Sequence, residues 1–308
     1  MKTLDQQIQD TMDDCEEEDC ECNATQLRRQ LRAMKNGMKG KYAFAGGGWT
    51  FCGDTAETLP ADIYRVERGN FGPVLRSMDI KTDIPVPLPD SVSERIAKEV
   101  SNFWKLGAKF EDVGMLHKRG ILLYGPAGAG KTSTACVVAK KVVGDNGIVF
   151  VLTNADFPSL QTAIGEIRQR EPERPIVTIL EDIDELVGRG MEERLLAFLD
   201  GEDQVNHIAH VATTNNLGAM GNRLTNRPSR FDIVIKVGMP SLAERHIYLK
   251  AKIGNTKEAL KWAKETEGMS VAHLRELVVG VKCMNEDPKK VLTRLREMMG
   301  GKIKAGRN

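Results

Sequence analysis

The octapeptide Gly-Pro-Ala-Gly-Ala-Gly-Lys-Thr at 125–132 constrains this chain more than any other feature. It follows the apolar run Ile121-Leu122-Leu123-Tyr124 directly and opens a helical stretch, Ser133 to Val143. A G-x-x-x-x-G-K-[ST] pattern between strand and helix is a loop that wraps phosphate oxygens. Gly125, Gly128 and Gly130 let backbone N–H groups turn toward an anion, with Pro126, Ala127, Ala129 and Ser133 completing the wall. Lys131 is placed to reach the β and γ phosphates of a nucleotide, and the Thr132 hydroxyl to ligate Mg²⁺. Further apolar runs at 148–152, 176–180, 208–212 and 233–237 alternate with amphipathic helical stretches. That alternation predicts an α/β fold with a parallel sheet covered on both faces.

Carboxylates stand at the end of the run Ile176-Val177-Thr178-Ile179-Leu180, where ligands bind in such sheets. Glu181 is expected to hold Mg²⁺ through water and Asp182 to polarise an attacking water. A second register, Asp184-Glu185, lies beyond the strand tip. Thr213-Thr214-Asn215-Asn216 ends the next run, with Asn215, or alternatively Asn216, orienting water or touching the γ phosphate. Arg227-Pro228-Ser229-Arg230-Phe231-Asp232 then sets two guanidiniums in a turn. A planar, permanently charged donor fork suits phosphate, while an Arg230–Asp232 pair is the structural alternative.

The flanks differ in texture. At about 150 residues per domain, 308 residues suit two domains or one core with appendages. The net charge of +1 conceals nine acids and one Lys in residues 1–22, then six basic side chains and no acid in 23–41. Residues 1–40 read as a flexible arm containing a short basic helix, Gln26 to Met38, with Leu27, Leu31 and Met34 at helical spacing. Glycine-punctuated β-like runs at Tyr42–Ala45, Trp49–Cys52, Ile63–Val66 and Val74–Met78 predict a small β-rich module over 41–89. Pro85, Pro87 and Pro89 make an extended linker, after which Asp90 or Ser91 caps a helix bearing Val92, Ile96, Val100 and Phe103. From Ser241 the pattern is helical to Gly300, and 301–308 form a loose tail.

No apolar run approaches the roughly 18 residues that a membrane helix requires, and the polar N-terminus does not suit a signal peptide. A cytoplasmic protein with reduced thiols is expected. Cys15, Cys20 and Cys22, with Cys52 as a fourth ligand, are numerous enough for a metal site, but their spacing lacks the usual two-residue pairs, and a solvated tail is the favoured reading.

The order GPAGAGKT, ILED, TTN and RPSRFD followed by a helical tail resembles the AAA-type ATPases of the AAA+ superfamily over roughly 90–300. The Glu181-Asp182 order, the stretch LLAFLDGEDQ at 195–204 and Thr213-Thr214-Asn215 are similar to the mitochondrial AAA chaperones that translocate the Rieske iron–sulfur protein. The resemblance implies a P-loop NTPase sheet at 90–240, a helical lid at 241–300, and ATP with Mg²⁺ as ligands. It also implies a homo-oligomeric ring, usually of six, in which Arg227 and Arg230 reach the adjacent subunit's site as arginine fingers. The chain departs from the pattern in three places. No transmembrane helix precedes the core, the 41–89 segment has no counterpart, and Ala127 replaces the usual second proline. Phe157 is the sole aromatic near the loop where threading rings carry an aromatic paddle, and packing beside Pro158 is the alternative. Arg275 is a candidate lid contact to the γ phosphate, with a surface salt bridge to Glu276 or another acid as its alternative.

The expected function is Mg²⁺-dependent ATP hydrolysis by a ring that remodels or translocates a protein partner recruited by residues 1–89. Such a protein has no membrane partner, and if phage-encoded it acts in the host cytoplasm. A nucleic-acid-associated loader is the second reading, from Arg28, Arg29, Arg32, Lys35 and Lys39. A nucleotide-gated switch with little turnover is the third, because Asp182 is one methylene shorter than the Glu more common at this position.

Overall fold

A computed structural model describes residues 41–45, 48–52, 56–69, 72–79, 86, 92–152, 155–200, 205–221, 223 and 229–300. The acidic and basic arm, its three cysteines, the linker prolines, the cap at Asp90 or Ser91, Arg227 and the C-terminal tail lie outside them. Two compact units divide the chain, at 1–59 and 60–308. In the first, β1 (Lys41–Ala45) and β2 (Gly48–Cys52) form an antiparallel hairpin with Lys41 opposite Cys52 and Ala45 opposite Gly48.

The second unit holds the sheet. Its strands are β3 (Ile63–Gly69), β4 (Gly72–Ser77), β5 (Lys118–Tyr124), β6 (Ile148–Val151), β7 (Ile176–Leu180), β8 (Ile208–Thr214) and β9 (Ile233–Lys236). Their spatial order is β4-β3-β6-β7-β8-β5-β9, with every pairing parallel except β3 with β4. The strand that feeds the phosphate loop therefore runs between β8 and β9, with Tyr124 opposite Thr214 and Lys236.

Helices cover both faces. They are α1 (Val92–Trp104), α2 (Gly107–Asp112), α3 (Lys131–Gly144), α4 (Phe157–Arg170), α5 (Ile183–Gly188) and α6 (Glu192–Asp200). Alternation along β5 sends Ile121 and Leu123 to a core shared with Ile96, Val100 and Phe103 of α1 and Val138 and Val142 of α3. Leu122 points the other way, among Phe157, Ile183, Leu195 and Leu199 of α4 to α6. Each such fully buried side chain contributes about 1.5–3 kcal/mol, which is why the central strands read as unbroken apolar runs.

The structure corrects the expected domain boundary at 41–89. Among the described residues of that segment, β1 and β2 belong to the first unit, whereas Ile63 and Tyr64 of β3 are buried and pair with Val149 and Phe150 of β6 in the second. The β3–β4 hairpin thus extends the sheet beyond β6, with Met78 packed on the α1–α3 core. The nucleotide-binding unit accordingly begins near Pro60 and not at 90.

Four helices follow the sheet: α7 (Leu242–Ile253), α8 (Thr256–Glu265), α9 (Val271–Val278) and α10 (Pro288–Met299). Each starts on a side-chain cap, from Ser241, Asn255, Ser270 and Asp287 respectively. Tyr248, Trp262, Leu274, Leu277 and Leu292 give them a core of their own, against which Val86 packs. The sequence predicts one helix from Ser270 to Met284, but Val279–Cys283 is π-helical. Its second residue, Gly280, lies so close to Val291 that an added Cβ would stand 3.0 Å from Val291 Cγ2. Among the described residues no helix is long and apolar enough to cross a membrane.

The segment around Arg230-Phe231-Asp232 crosses β5 at Gly120, whose N–H donates to Asp232 Oδ2 at 2.8 Å. A Cβ on Gly120 would stand 1.8 Å from the Arg230 carbonyl oxygen, so the two backbones touch. Gly120→Ala is expected to lower unfolding stability in urea by about 3 kcal/mol, because backbone and not a flexible side chain must move.

His210 of β8 is buried against its cross-strand partner Thr178, with Oγ1 2.7 Å from Nδ1. Burial, and to a lesser degree the nearby Lys118, push its pKa from 6.5 down to about 3. The unfolded chain takes up this proton below about pH 6.5, whereas the folded chain resists it until about 3. Stability is therefore expected to fall as pH drops through that window, by up to about 1.4 kcal/mol per unit from this residue. Urea titrations of His210→Leu should show the pH slope reduced by about one proton.

Candidate active site

The phosphate loop is shaped by positive-φ glycines, with Gly125 at 155°, Gly128 at 75° and Gly130 at 104°. At Gly125 a side chain is excluded sterically too, since a Cβ would lie 2.1 Å from the Val237 carbonyl oxygen just beyond β9. Gly130 is the N-cap of α3 and supplies no side-chain cap, so the first N–H groups of this helix face the loop's concavity. Pro126, Ala127 and Gly128 are exposed along the loop, Ala129 is buried in the core, and Thr132 and Ser133 are exposed in the first turn of α3.

Lys131 is only 6% exposed, and burial lowers its pKa while Asp182 and Asp184 act against that shift. Its ammonium donates to the carbonyl oxygens of Gly125 at 2.8 Å and Pro126 at 3.0 Å and to Asn215 Oδ1 at 2.7 Å. The other end of the same amide, Asn215 Nδ2, donates to Asp182 Oδ1 at 2.9 Å. A cation on one side and a carboxylate on the other fix the amide's orientation. Asn215 thus links the phosphate-binding lysine to the carboxylate expected to polarise water.

Asp182 takes the left-handed conformation, φ 47°, as the N-cap of α5. Its N–H donates to Thr213 Oγ1 at 3.0 Å, which anchors the end of β7 to the end of β8. This sharp turn brings Asp184 back, so that its Oδ1 accepts the Asn215 N–H at 3.4 Å. The strand pattern leaves Asp184 beyond the tip, yet the structure places it beside the site. A signal for it exists in hindsight: carboxylates at 182 and 184 flank one residue of a helix start, a spacing that a tight turn folds together.

Asn216, the alternative to Asn215, has a different duty. Its Oδ1 accepts from Ala219 N at 3.2 Å and caps the 3-10 turn Leu217–Met220. Asn215 alone of the two enters the Lys131–Asp182 chain.

Glu181 turns toward the α3 side of β7, where its charge adds to burial in raising the Cys136 thiol pKa. Its Oε1 is buried and has no hydrogen-bond partner among the described residues. A carboxylate oxygen in that position suits a cation or its bound water, and with the exposed Thr132 hydroxyl it offers the oxygen donors that Mg²⁺ requires. The residues therefore fit the metal that the phosphate loop implies.

The arginine expectations need correction at one position. Arg230 is buried, its Nε donating to Asp200 Oδ2 at 2.8 Å and its Nη1 to the Arg223 carbonyl. It does not extend outward as a finger, and its partner is not Asp232, which is bonded to Gly120. A buried guanidinium needs a carboxylate, and Asp200 at the end of α6 supplies it. Phe157 is likewise buried, stacked at 5.4 Å against Phe198, and is no exposed paddle. Arg275 is exposed on α9, while Glu276, its alternative partner, pairs with Arg294 at 3.1 Å.

Comparison with known proteins agrees with this geometry. Residues 121–239 match the family described as ATPase family associated with various cellular activities (AAA). The chain is 31% identical over 206 residues to the ATP-dependent zinc metalloprotease FtsH of Acidimicrobium ferrooxidans, covering 59% of this chain and 30% of that protein. It is 31% identical over 205 residues to the FtsH of Rhodococcus erythropolis, covering 58% of this chain and 23% of the relative. With the proteasome-activating nucleotidase of Aeropyrum pernix it shares 29% identity over 248 residues, which are 70% of this chain and 59% of that one. The chain therefore spans less than a third of the two metalloproteases and under two thirds of the nucleotidase. With its phosphate loop, paired carboxylates and strand order in one α/β unit, the chain carries an AAA ATPase domain, whose family match lies at residues 121–239.

Proposed function

We propose that this chain hydrolyses ATP with Mg²⁺ in a ring of its own copies, six by the family's habit, and uses the cycle to remodel or translocate a protein partner. The continuous link Lys131–Asn215–Asp182 carries the reading, because it joins a phosphate-binding cation to a water-polarising carboxylate through one amide. Lys131 and the N–H groups of the loop and α3 bind and orient the triphosphate. Thr132 and Glu181 hold Mg²⁺, which when bound neutralises charge on the phosphate oxygens. Asp182 accepts a proton from the attacking water, and Asn215 positions that carboxylate and reaches the γ phosphate.

The protein partner draws support from the names of the relatives, a metalloprotease and a proteasome-activating nucleotidase. Arg227 is the finger in this reading, since the donors of Arg230 are engaged within its own chain. Mutants with Arg227→Ala should then lose turnover most at concentrations where wild-type subunits assemble.

Two substitutions test the site. Lys131→Met should weaken nucleotide binding about 10- to 150-fold, the value of hydrogen bonds to a charged group, measured by calorimetry with ATP and Mg²⁺. Asp182→Asn should bind ATP nearly as well as wild type yet turn over at least about a hundredfold more slowly in a phosphate-release assay, from loss of the general base. Rapid hydrolysis by the Asn variant would assign the water to Asp184 instead.

A further inference from the structure

The lid meets the phosphate loop at one defined point. An added Cβ on Gly128 would stand 2.8 Å from Ser270 Oγ, 3.3 Å from Ser270 Cβ and 3.5 Å from Ala272 Cβ. Ser270 is 1% exposed and is the N-cap of α9, so the first turn of this helix rests on the loop's left-handed glycine. What holds the Ser270 hydroxyl there is unusual. In a capping box the third helical residue is ordinarily Glu or Gln, whereas here it is His273.

The hydrogen bonds define how the imidazole works. Ser270 Oγ accepts the His273 backbone N–H at 3.4 Å and lies 2.6 Å from His273 Nδ1. The Ser270 backbone N–H also points at Nδ1, at 3.4 Å. Nδ1 must therefore be the unprotonated, accepting nitrogen, with the proton on Nε2. A neutral acceptor at this place completes the cap without adding an anion beside the loop that wraps phosphate. A carboxylate would cap the helix equally well but bring a negative charge toward the triphosphate.

We propose that His273 is a positioning residue for nucleotide binding: through the Ser270 hydroxyl it holds the lid helix against Gly128 and so presets the phosphate loop. The inference rests on the reading of the loop as a nucleotide site. Without the cap, the first turn of α9 frays and the loop loses the wall that opposes Gly128. The ordering cost then falls on nucleotide binding. His273 touches neither phosphate nor water in this role, so its loss acts on affinity more than on the chemical step.

The test compares three lid variants in the full-length chain, using a fluorescent ADP analogue with Mg²⁺ as probe. His273→Leu removes the acceptor and should weaken binding by up to about 30-fold, the fold-change equivalent of one helix N-cap, while kcat at saturating ATP changes less than KM. His273→Gln restores a neutral acceptor at the capping-box position and should return affinity to within about threefold of wild type. Asn255→Ala removes the cap of a different lid helix, α8, where Asn255 Oδ1 accepts from Lys257 N and Glu258 N at 3.1 Å. It should lower the melting temperature without changing the affinity. Should His273→Leu fold poorly, Ser270→Ala deletes the same contact and carries the same expectation. Unchanged affinity in His273→Leu and Ser270→Ala, no rescue by Gln, or equal weakening by Asn255→Ala would overturn the proposal. A wild-type chain that fails to bind the probe would overturn the nucleotide reading itself, a result separate from any of these.

Discussion

Burial of the Lys131 ammonium is the constraint on which the rest of the site depends. A charged group taken out of water is stable only if its donors are met, and here three acceptors meet it. Two are carbonyls of the phosphate loop that leaves β5, and the third is the side chain of Asn215 at the end of β8. The arrangement therefore requires β5 and β8 to be parallel neighbours ending at the same level. Their register supplies this, with Tyr124 opposite Thr214 and Gly125 N–H bonded to the Thr214 carbonyl at 3.3 Å. On its other side Gly125 is in backbone contact with Val237 after β9, so the loop is seated between both neighbours of its strand.

The carboxylate side obeys the same logic. A non-glycine residue in the left-handed region costs on the order of 1 kcal/mol, and Asp182 adopts it at φ 47°. The turn it makes points Asp182 and Asp184 at opposite ends of one residue, Asn215, through its side chain and its backbone N–H respectively. Local strain is thus coupled to a geometry that a relaxed strand-to-helix junction does not give. Glu181 is left facing the α3 side, its buried Oε1 without a hydrogen-bond donor among the described residues.

What could be read from the residues follows from how local each determinant is. The apolar runs of the central strands β6, β7 and β8 are buried on both faces, and such strands announce themselves by continuous hydrophobicity. The loop and the carboxylates sit at strand ends, so their motifs carried their own context. The β3–β4 hairpin misled because Arg65, Glu67 and Arg76 alternate outward with ion pairs, the texture of an independent module. Its attachment rests on Ile63 and Tyr64 pairing with residues 86 positions later, which no local pattern encodes. The Arg230 partner is hidden from the local pattern for the same reason, since Asp200 is 30 residues away. Within the π turn at Val279–Cys283, Gly280 lies against Val291 of the next helix, a contact that no local pattern encodes.

Charge balance gives the remaining argument for how the site operates. The groups that meet at Asn215 are one cation, Lys131, and two carboxylates, Asp182 and Asp184, with Glu181 beside them. A triphosphate entering this cluster adds several negative charges to one that is already net negative. Lys131 and helix N–H dipoles offset only part of that, and Arg230 is committed to Asp200 within its own chain. On the proposed function, a divalent cation arriving with the nucleotide, or a guanidinium outside this buried pair, would offset the rest. On the same reading, such a site would favour the metal–nucleotide complex over the free nucleotide, with turnover open to control by whatever presents the second cation.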